Sequence, residues 1–295
     1  MKFSQRMGIT PSSKVPQIDS MDNELLSGLW NVFHNGFLVG ISPMIGTINM
    51  GPLTDEQIHY ANALWHDFLK ADVSKIPHFS NELHYFLNQF IFKKEWYHVL
   101  DFIEYSVNYV RVNEVNGVSH EVLEEQFNIV LEREISGYRF INGHLAPITN
   151  KYEINELTES LTQTESFTAL KGCNIHLQSA LQKLSDRGNP DYRNSIKESI
   201  SAVESLAKLI AQRPGDSLGA SLDRIKGVIN LHPSLERGFK QIYGYTSDEG
   251  GIRHALMDSP NCDFEDAKFM LISCSAFINY LIVKANKAGI EFQNL

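Results

Sequence analysis

Apolar residues recur at helical spacing over most of the first half of the chain. Leu25, Leu29 and Phe33 lie four residues apart, and Thr54 followed by Gln57 is the pattern of a capping box before a second apolar stripe. The same period predicts three further helices, at residues 80–92, 94–110 and 120–135. We therefore expect a helical N-terminal domain.

The period changes at residues 137–148, where residues typical of β-strands flank Asn142-Gly143. Asn-Gly between two such runs is a strong signal for a two-residue hairpin turn. We predict that this small hairpin is the only sheet in the protein. A helical pattern at 149–164 follows, and we place the domain boundary inside it, so that the domains are residues 1–155 and 156–295.

The second half of the chain has a more regular helical pattern. Its predicted helices lie at 166–186, 191–212, 218–229 and 233–243. A final long helix is started by Asp263, with Asp266 at its third position. The helix at 191–212 places Ile196 and Val203 on one face and Lys197 and Glu204 on the opposite face. The sequence therefore predicts a mainly α protein of two helical domains, the second a bundle of four or five helices.

Composition, charge and cysteine spacing exclude several classes of protein. The chain has 295 residues, 43% of them hydrophobic, and its formal net charge of −9 excludes a globally basic nucleic-acid binder. The three cysteines have no CxxC spacing, which indicates reduced thiols rather than a disulfide framework. No apolar leader precedes the first helix, and the apolar run at 269–283 is too short and too polar to cross a bilayer. We expect a cytoplasmic protein with no membrane partner.

The stretch at 245–258 concentrates reactive side chains directly before the apolar final helix. Arg253 and His254 follow two adjacent glycines, and Asp248 and Glu249 precede the glycines. An imidazole exchanges protons near neutral pH, and a guanidinium holds a phosphate through paired hydrogen bonds. This combination favours chemistry at phosphate. The alternative interpretation is a salt-bridged surface turn.

Several segments resemble a known family. Gly-Ile-Arg-His-Ala at 251–255 and the helix at 264–277 are similar to the C-terminal half of abortive-infection proteins, whose C-terminal domain is similar to HEPN (higher eukaryotes and prokaryotes nucleotide-binding) domains. The helix at 194–205 matches the pattern of the same group. Three upstream segments resemble the N-terminal domain of AbiJ-type proteins, namely residues 3–8, 29–31 and 137–141.

The resemblance implies a metal-independent endoribonuclease of phage defence, or a catalytically inactive relative that binds RNA or a nucleotide. In the nuclease, His254 would exchange protons with the 2′-hydroxyl or the leaving 5′-oxygen, Arg253 would stabilise the transition state, and no cofactor is needed. HEPN ribonucleases commonly dimerise so that two such motifs face one cleft, so the resemblance implies a homodimer that binds RNA. The candidate supporting or phosphate-binding residues are Asp248, Glu249, Lys197 and Glu204. For the last two, a solvated helix face is the alternative.

One feature departs from the HEPN pattern. The usual active motif has Arg, four to six further residues and then His on one helix, whereas Arg253 and His254 are adjacent. Neighbours on a regular helix point about 100° apart. The pair therefore converges only on an irregular backbone or when two subunits contribute different members.

Two other Arg–His pairs are rejected. Arg139 and His144 have the usual spacing, but they lie across the predicted hairpin turn. Arg224 and His232 are separated by seven residues and by a glycine near the end of a predicted helix. Neither pair is expected on one helical face.

Other functional classes have weaker support. The histidines of the first domain are scattered without metal-ligand spacing, so we expect no metal site. The aromatic run at 96–109 has helical spacing, which favours core packing over base stacking. The main rival to a nuclease is a non-catalytic module that binds a nucleotide, an RNA or a protein. A third possibility is a regulatory partner of another effector in a defence system.

Overall fold

The computed structural model describes residue 3 and residues 16–42, 51–115, 117–186, 190–247 and 262–292. The chain divides into two compact units, Met1–Thr149 and Asn150–Leu295, and each unit is described by itself. The described residues are mainly α-helical with one two-stranded sheet, which confirms the predicted fold class. The domain boundary at 155/156 stays a prediction.

The described part of the N-terminal unit includes five α-helices. They are α1 (Asn23–Phe33), α2 (Asp55–Ala63), α3 (Ser80–Lys93), α4 (Trp96–Asn113) and α5 (His120–Arg133). The predicted capping box starts α2: Thr54 Oγ1 accepts from Gln57 N at 3.1 Å, and Gln57 Oε1 accepts from Thr54 N at 3.2 Å. The first two helices continue into π-helical turns, at His34–Leu38 and Leu64–Phe68.

Aromatic side chains form much of the core of this unit. Its largest fully buried side chains include Phe33, Phe37, Tyr60, Phe102 and Phe127. The ring centroids of Phe33 and Phe102 lie 5.0 Å apart, and those of Phe37 and Tyr60 lie 4.6 Å apart, both edge to face. Within the predicted aromatic run, Phe102 is buried, Trp96, Tyr105 and Tyr109 pack partly buried against the same core, and Tyr97 is 45% exposed. Core packing therefore holds for this run except at Tyr97.

The predicted hairpin is present, and it is the only sheet among the described residues. Strands β1 (Arg139–Ile141) and β2 (His144–Ala146) are antiparallel, with Phe140 opposite Leu145. Asn142 and Gly143 have φ values of 49° and 84°. Two successive positive φ angles are what a type I′ turn requires, and Asn-Gly accepts them at little cost.

Polar side chains from two helices fix the hairpin in place. Asn128 of α5 donates through Nδ2 to Phe140 O at 3.0 Å and accepts from Phe140 N at 2.7 Å. Asn108 of α4 donates to Gly143 O at 2.8 Å, and Glu104 accepts from Leu145 N at 2.6 Å. A three-residue strand has little stability of its own. These side chains therefore replace the neighbouring strands that a larger sheet would supply.

The C-terminal unit contains six α-helices in its described part. They are α6 (Lys151–Glu165), α7 (Lys171–Ser185), α8 (Tyr192–Ala211), α9 (Leu218–Val228), α10 (Pro233–Ser247) and α11 (Phe264–Lys287). Helix α8 packs against α7, α9, α10 and α11, while α6 packs against α7 and α11. Helix α8 is therefore the centre of the bundle.

Helix α11 is the most apolar helix of the unit. It has 24 residues, more than the apolar run seen in the sequence, and by length and composition alone it is long enough to cross a membrane. However, 56% of the most apolar 18-residue stretch of this helix is buried inside the protein. This burial indicates a core helix.

The three cysteines are free thiols. Burial raises the pKa of Cys274 to about 12 and also raises the pKa of Cys173. Cys262, just before α11, is only partly buried, and its pKa is raised first by burial and then by the nearby Asp266. Since the thiolate is the reactive form, the two buried cysteines are inert near neutral pH.

Candidate functional site

The predicted catalytic pair, Arg253 and His254, lies outside the described residues, as do Asp248 and Glu249. Their roles stay predictions. Directly after this segment, the carboxylate of Asp263 accepts from Asp266 N and that of Asp266 accepts from Asp263 N, both at 3.1 Å. This capping box fixes the start of α11, as the acidic residues at these positions predicted.

The two other candidate residues lie on the central helix α8. Lys197 is exposed, and Glu204, seven residues further along the same face, has a side chain that is 19% exposed. Glu204 forms an ion pair with Lys208, one turn further along, at 2.7 Å. Glu204 is therefore mostly buried and engaged by Lys208, and only Lys197 is exposed as a solvated helix face requires. A role for Lys197 or Glu204 toward phosphate stays a prediction.

A histidine–carboxylate pair that the sequence did not reveal joins α7 and α8. His176 Nδ1 lies 2.6 Å from Glu198 Oε2, and the two side chains are 39% and 22% exposed. A carboxylate within hydrogen-bond distance of Nδ1 orients the imidazole ring, which is how enzymes commonly position a histidine for proton transfer. The two residues are 22 positions apart, so only helix packing brings them together.

Cations on α9 and α10 are engaged by carboxylates. Lys240 Nζ lies 2.7 Å from Asp223 Oδ2 and 2.6 Å from Glu236 Oε1. Hydrogen bonds from Lys240 and then Lys226 lower the pKa of Asp223, and hydrogen bonds to Asp223 and Glu236 raise the pKa of Lys240. These charges compensate one another, so this network is not a phosphate-binding patch.

The rejected Arg139–His144 pair has separate partners in the structure. The Arg139 guanidinium is buried and donates to the carbonyl oxygens of Ser136 and Tyr138 at 2.8 and 2.6 Å. His144 Nδ1 instead lies 3.6 Å from Glu104 Oε1. Burial lowers the pKa of Arg139. The structure therefore supports the rejection of the Arg139–His144 spacing as a nuclease motif.

A pair of histidines also meets in the N-terminal unit. The ring centroids of His34 and His84 are 5.0 Å apart, and Trp30 lies against the His84 ring at the same distance. His84 Nε2 is buried without a hydrogen-bond partner. In the described parts of the chain, no group of three or more His, Cys, Asp or Glu side chains is arranged to hold a metal ion.

His84 should make the stability of this unit depend on pH. Burial and then the charge of His34 lower the pKa of His84 below 6.5 in the folded protein. Folding therefore favours the neutral His84 ring. The stability that this preference contributes is present above the pKa of His84 in the unfolded chain, and it is lost as the pH falls through the lower pKa of His84 in the folded protein. We expect His84→Gln to reduce the loss of stability between about pH 7 and pH 5. Urea unfolding at each pH measures this loss.

The matched control for this prediction is His66→Gln. The His66 side chain is 79% exposed beside Asp67, and it has no comparable burial to relieve. Its variant should retain the pH dependence of the wild type. Identical profiles for all three proteins would show that His84 does not couple protonation to folding.

Comparison with known proteins gives one match. The sequence model of the family described as AbiJ N-terminal domain 4 matches residues 1–163. This stretch is more than half of the chain and contains the whole N-terminal unit described above. No curated protein and no solved structure matches the chain.

Proposed function

The chain belongs to the AbiJ N-terminal domain 4 family, and on that premise we propose that it is an abortive-infection effector of phage defence whose C-terminal unit cleaves RNA. The family match is the single observation that carries the assignment to abortive infection. It agrees with the resemblance of residues 3–8, 29–31 and 137–141 to AbiJ-type proteins. RNA cleavage is the finer part of the proposal and rests on the C-terminal sequence.

The proposed reaction needs one proton acceptor, one proton donor and one cation. His254 accepts the proton of the ribose 2′-hydroxyl, and O2′ attacks the adjacent phosphorus. The bond from phosphorus to O5′ breaks, O5′ takes up a proton, and the products are a 2′,3′-cyclic phosphate and a 5′-hydroxyl end. Arg253 offsets the charge of the pentacoordinate phosphorus. Because O2′ is the nucleophile, DNA is not a substrate.

Two features of the described C-terminal unit support this proposal. The unit is all-helical around α8, as a HEPN-like bundle would be, although it has six described α-helices where four or five were expected. In addition, the same unit carries the partly exposed imidazole of His176, which the carboxylate of Glu198 orients at Nδ1. The proposed reaction requires both a base and an acid, and the Arg253-His254 pair contains only one histidine per chain.

The test is cleavage of total RNA by the purified protein in EDTA, with and without lysate from phage-infected cells as a source of the activating trigger. We expect fragments with 2′,3′-cyclic phosphate ends, and a loss of at least ~100-fold in rate for His254→Ala. Arg253→Lys should lose less activity than Arg253→Ala, since lysine keeps the charge but not the paired hydrogen bonds. His66→Ala, in the other unit, should cleave normally.

The non-catalytic alternative predicts a different set of results. Its supporting observation is the adjacent Arg253-His254 pair, which departs from the usual motif. In that case the wild-type protein protects cells from phage, retains RNA on a filter and leaves it intact, and His254→Ala still protects. Absence of cleavage under all of these conditions would falsify the nuclease and leave the family assignment in place.

A further inference from the structure

Three charged side chains are buried in the described parts of the chain, and two of them have a partner of opposite charge. Glu134 Oε1 lies 2.7 Å from Arg133 Nε. Glu236 Oε1 lies 2.6 Å from Lys240 Nζ. The third is Arg139, which is 8% exposed, and no described carboxylate lies within ion-pair distance of its guanidinium. A buried charge without a counter-charge is costly, so Arg139 lacks a partner that its burial calls for.

The Arg139 guanidinium has hydrogen-bond donors to spare. Its Nη1 donates to the carbonyl oxygens of Ser136 and Tyr138 at 2.8 and 2.6 Å. Nε and Nη2 have no hydrogen-bond partner among the described residues, and neither nitrogen is sealed from solvent. Nε–H and one N–H of Nη2 point in the same direction and form the side-on edge of the guanidinium, which matches two oxygens of a phosphate or carboxylate. The anchored Nη1 leaves this side-on edge free.

A second donor without a partner belongs to Ser136. This residue is 4% exposed, and its Oγ is buried without a hydrogen-bond partner. Its own carbonyl oxygen lies 2.8 Å from Arg139 Nη1, so the hydroxyl and the guanidinium are neighbours. Most buried hydroxyls in native proteins are paired, because an unpaired one costs free energy. The same small region therefore holds an unpaired buried charge and an unpaired buried hydroxyl.

The backbone around this hydroxyl is fixed before any ligand arrives. Ser136 N donates to Leu131 O at 2.8 Å, which ties it to the end of α5. On either side of it, Gln17 N donates to Ile135 O at 2.8 Å, and Gly137 N donates to Gln17 O at 2.9 Å. A preorganised site loses little conformational freedom when a ligand binds. The serine and the anchored guanidinium therefore hold their donors in place.

Glu132 is the acidic residue that acts on Arg139 electrostatically. Burial lowers the pKa of Arg139, and the charge of Glu132 offsets this only in part. Glu132 is exposed, and no ion pair or hydrogen bond joins its carboxylate to Arg139. An exposed carboxylate is screened by water, so it leaves the side-on edge unsatisfied. Bonding of the hairpin backbone by Nη1 likewise accounts for only one of the three guanidinium nitrogens.

We propose that Arg139 and Ser136 form a binding site for a phosphate group, either free or at the end of a small molecule. The side-on edge of Arg139 donates to two phosphate oxygens, and Ser136 Oγ donates to a third. A phosphate monoester has three unesterified oxygens for these donors, whereas a carboxylate has only two. The low exposure of both side chains suits an end group rather than the backbone of a nucleic acid. The site lies in the N-terminal unit, and the proposal does not depend on RNA cleavage.

The first test is isothermal titration calorimetry of the full chain with inorganic phosphate, with potassium chloride adjusted to keep the ionic strength constant. A paired contact to one charged group and one hydroxyl contact give an expected dissociation constant on the order of 1 mM or below. The ring of Trp96 stacks on that of Tyr138, the neighbour of Arg139, with centroids 6.0 Å apart. Tryptophan fluorescence therefore supplies an independent titration.

Two further titrations identify the source of the phosphate group. Tighter binding of adenosine 5′-monophosphate than of inorganic phosphate would assign the site to a nucleotide, and equal or weaker binding would assign it to free phosphate. Acetate should bind at least about tenfold more weakly than phosphate, because it offers fewer oxygens and less charge to the same donors.

Ser136→Ala separates phosphate binding from folding. The Ser136 hydroxyl has no hydrogen bond to lose, so the variant should keep the stability of the wild type while its phosphate affinity falls about tenfold. Ser221→Ala is the matched control, since Ser221 Oγ is also buried without a partner but lies in the C-terminal unit. Its phosphate affinity should equal that of the wild type.

Two charge variants test the role of the guanidinium. Arg139→Lys keeps the charge but removes the side-on edge, so phosphate affinity should fall at least about tenfold. Glu132→Gln removes a nearby negative charge and should raise phosphate affinity about twofold. Circular dichroism and urea unfolding check that each variant is folded. If Arg139→Lys does not fold, Ser136→Ala and Glu132→Gln decide the outcome.

Four results would each overturn the proposal. They are an absence of saturable binding by the wild type up to about 20 mM phosphate, an acetate affinity equal to the phosphate affinity, equal losses for Ser136→Ala and Ser221→Ala, and an unchanged affinity in folded Arg139→Lys. A protein that binds phosphate as expected but leaves RNA intact would overturn the nuclease and leave this site in place.

Discussion

Phe102→Ala is expected to destabilise the N-terminal unit by about 3–5 kcal/mol. The Phe102 side chain is 1% exposed, and its ring centroid lies 5.0 Å from that of Phe33 and 5.2 Å from that of Phe90. Removing the ring loses the free energy of its burial and leaves a cavity that these rigid aromatic neighbours fill poorly. The three tryptophans of the chain, at positions 30, 65 and 96, all lie in this unit. Urea unfolding followed by tryptophan fluorescence therefore measures its stability.

Phe92→Ala is the matched control for Phe102→Ala. Phe92 lies near the end of α3 and is 37% exposed, so its replacement should cost about 1 kcal/mol or less. Similar losses for the two variants would contradict the assignment of the aromatic run to the core. A Phe102 variant of normal stability with weakened RNA binding would instead favour base stacking.

Asn128→Ala is expected to cost the same unit about 2–4 kcal/mol. The Asn128 amide satisfies both backbone groups of Phe140, at 2.7 and 3.0 Å, and Phe140 itself is buried. Alanine leaves an N–H and a C=O without partners, and each unsatisfied buried group costs about 1–3 kcal/mol. Tryptophan fluorescence again serves as the measurement, since Trp96 stacks on Tyr138 next to β1 at 6.0 Å.

The control for Asn128→Ala makes the same chemical change at a solvent-exposed position. Asn113 Nδ2 donates to Tyr109 O at 2.8 Å within α4, where water can replace the lost hydrogen bond. Asn113→Ala should therefore change stability by about 0.5 kcal/mol or less. If Asn128→Ala were equally mild, the hairpin would be held by its own turn rather than by α5.

Local sequence features predicted much of the fold. Periodicity placed the helices, Thr54 with Gln57 and Asp263 with Asp266 marked two helix starts, and Asn142-Gly143 marked the turn. Each of these signals depends on residues within a few positions of one another, so each is readable before the chain is folded.

Features that depend on packing were missed. Nothing in the sequence pairs His176 with Glu198, or Asn128 with Phe140, because each pair is brought together by neighbouring elements. The π-helical turns at His34–Leu38 and Leu64–Phe68 have no signature in the apolar period. For the candidate site, the sequence indicated Arg253 and His254 by the chemistry of their side chains. Their geometry stays a prediction.

Because the three thiols differ in burial, one of them can be labelled selectively. A maleimide probe in excess reacts with accessible thiolates, so mildly alkaline buffer directs it to Cys262 while Cys173 and Cys274 stay protected inside the bundle. No engineered residue is needed for this attachment. The fluorophore or spin label then lies within ten positions of His254 along the chain, where it can report on the arrival of an oligonucleotide in real time.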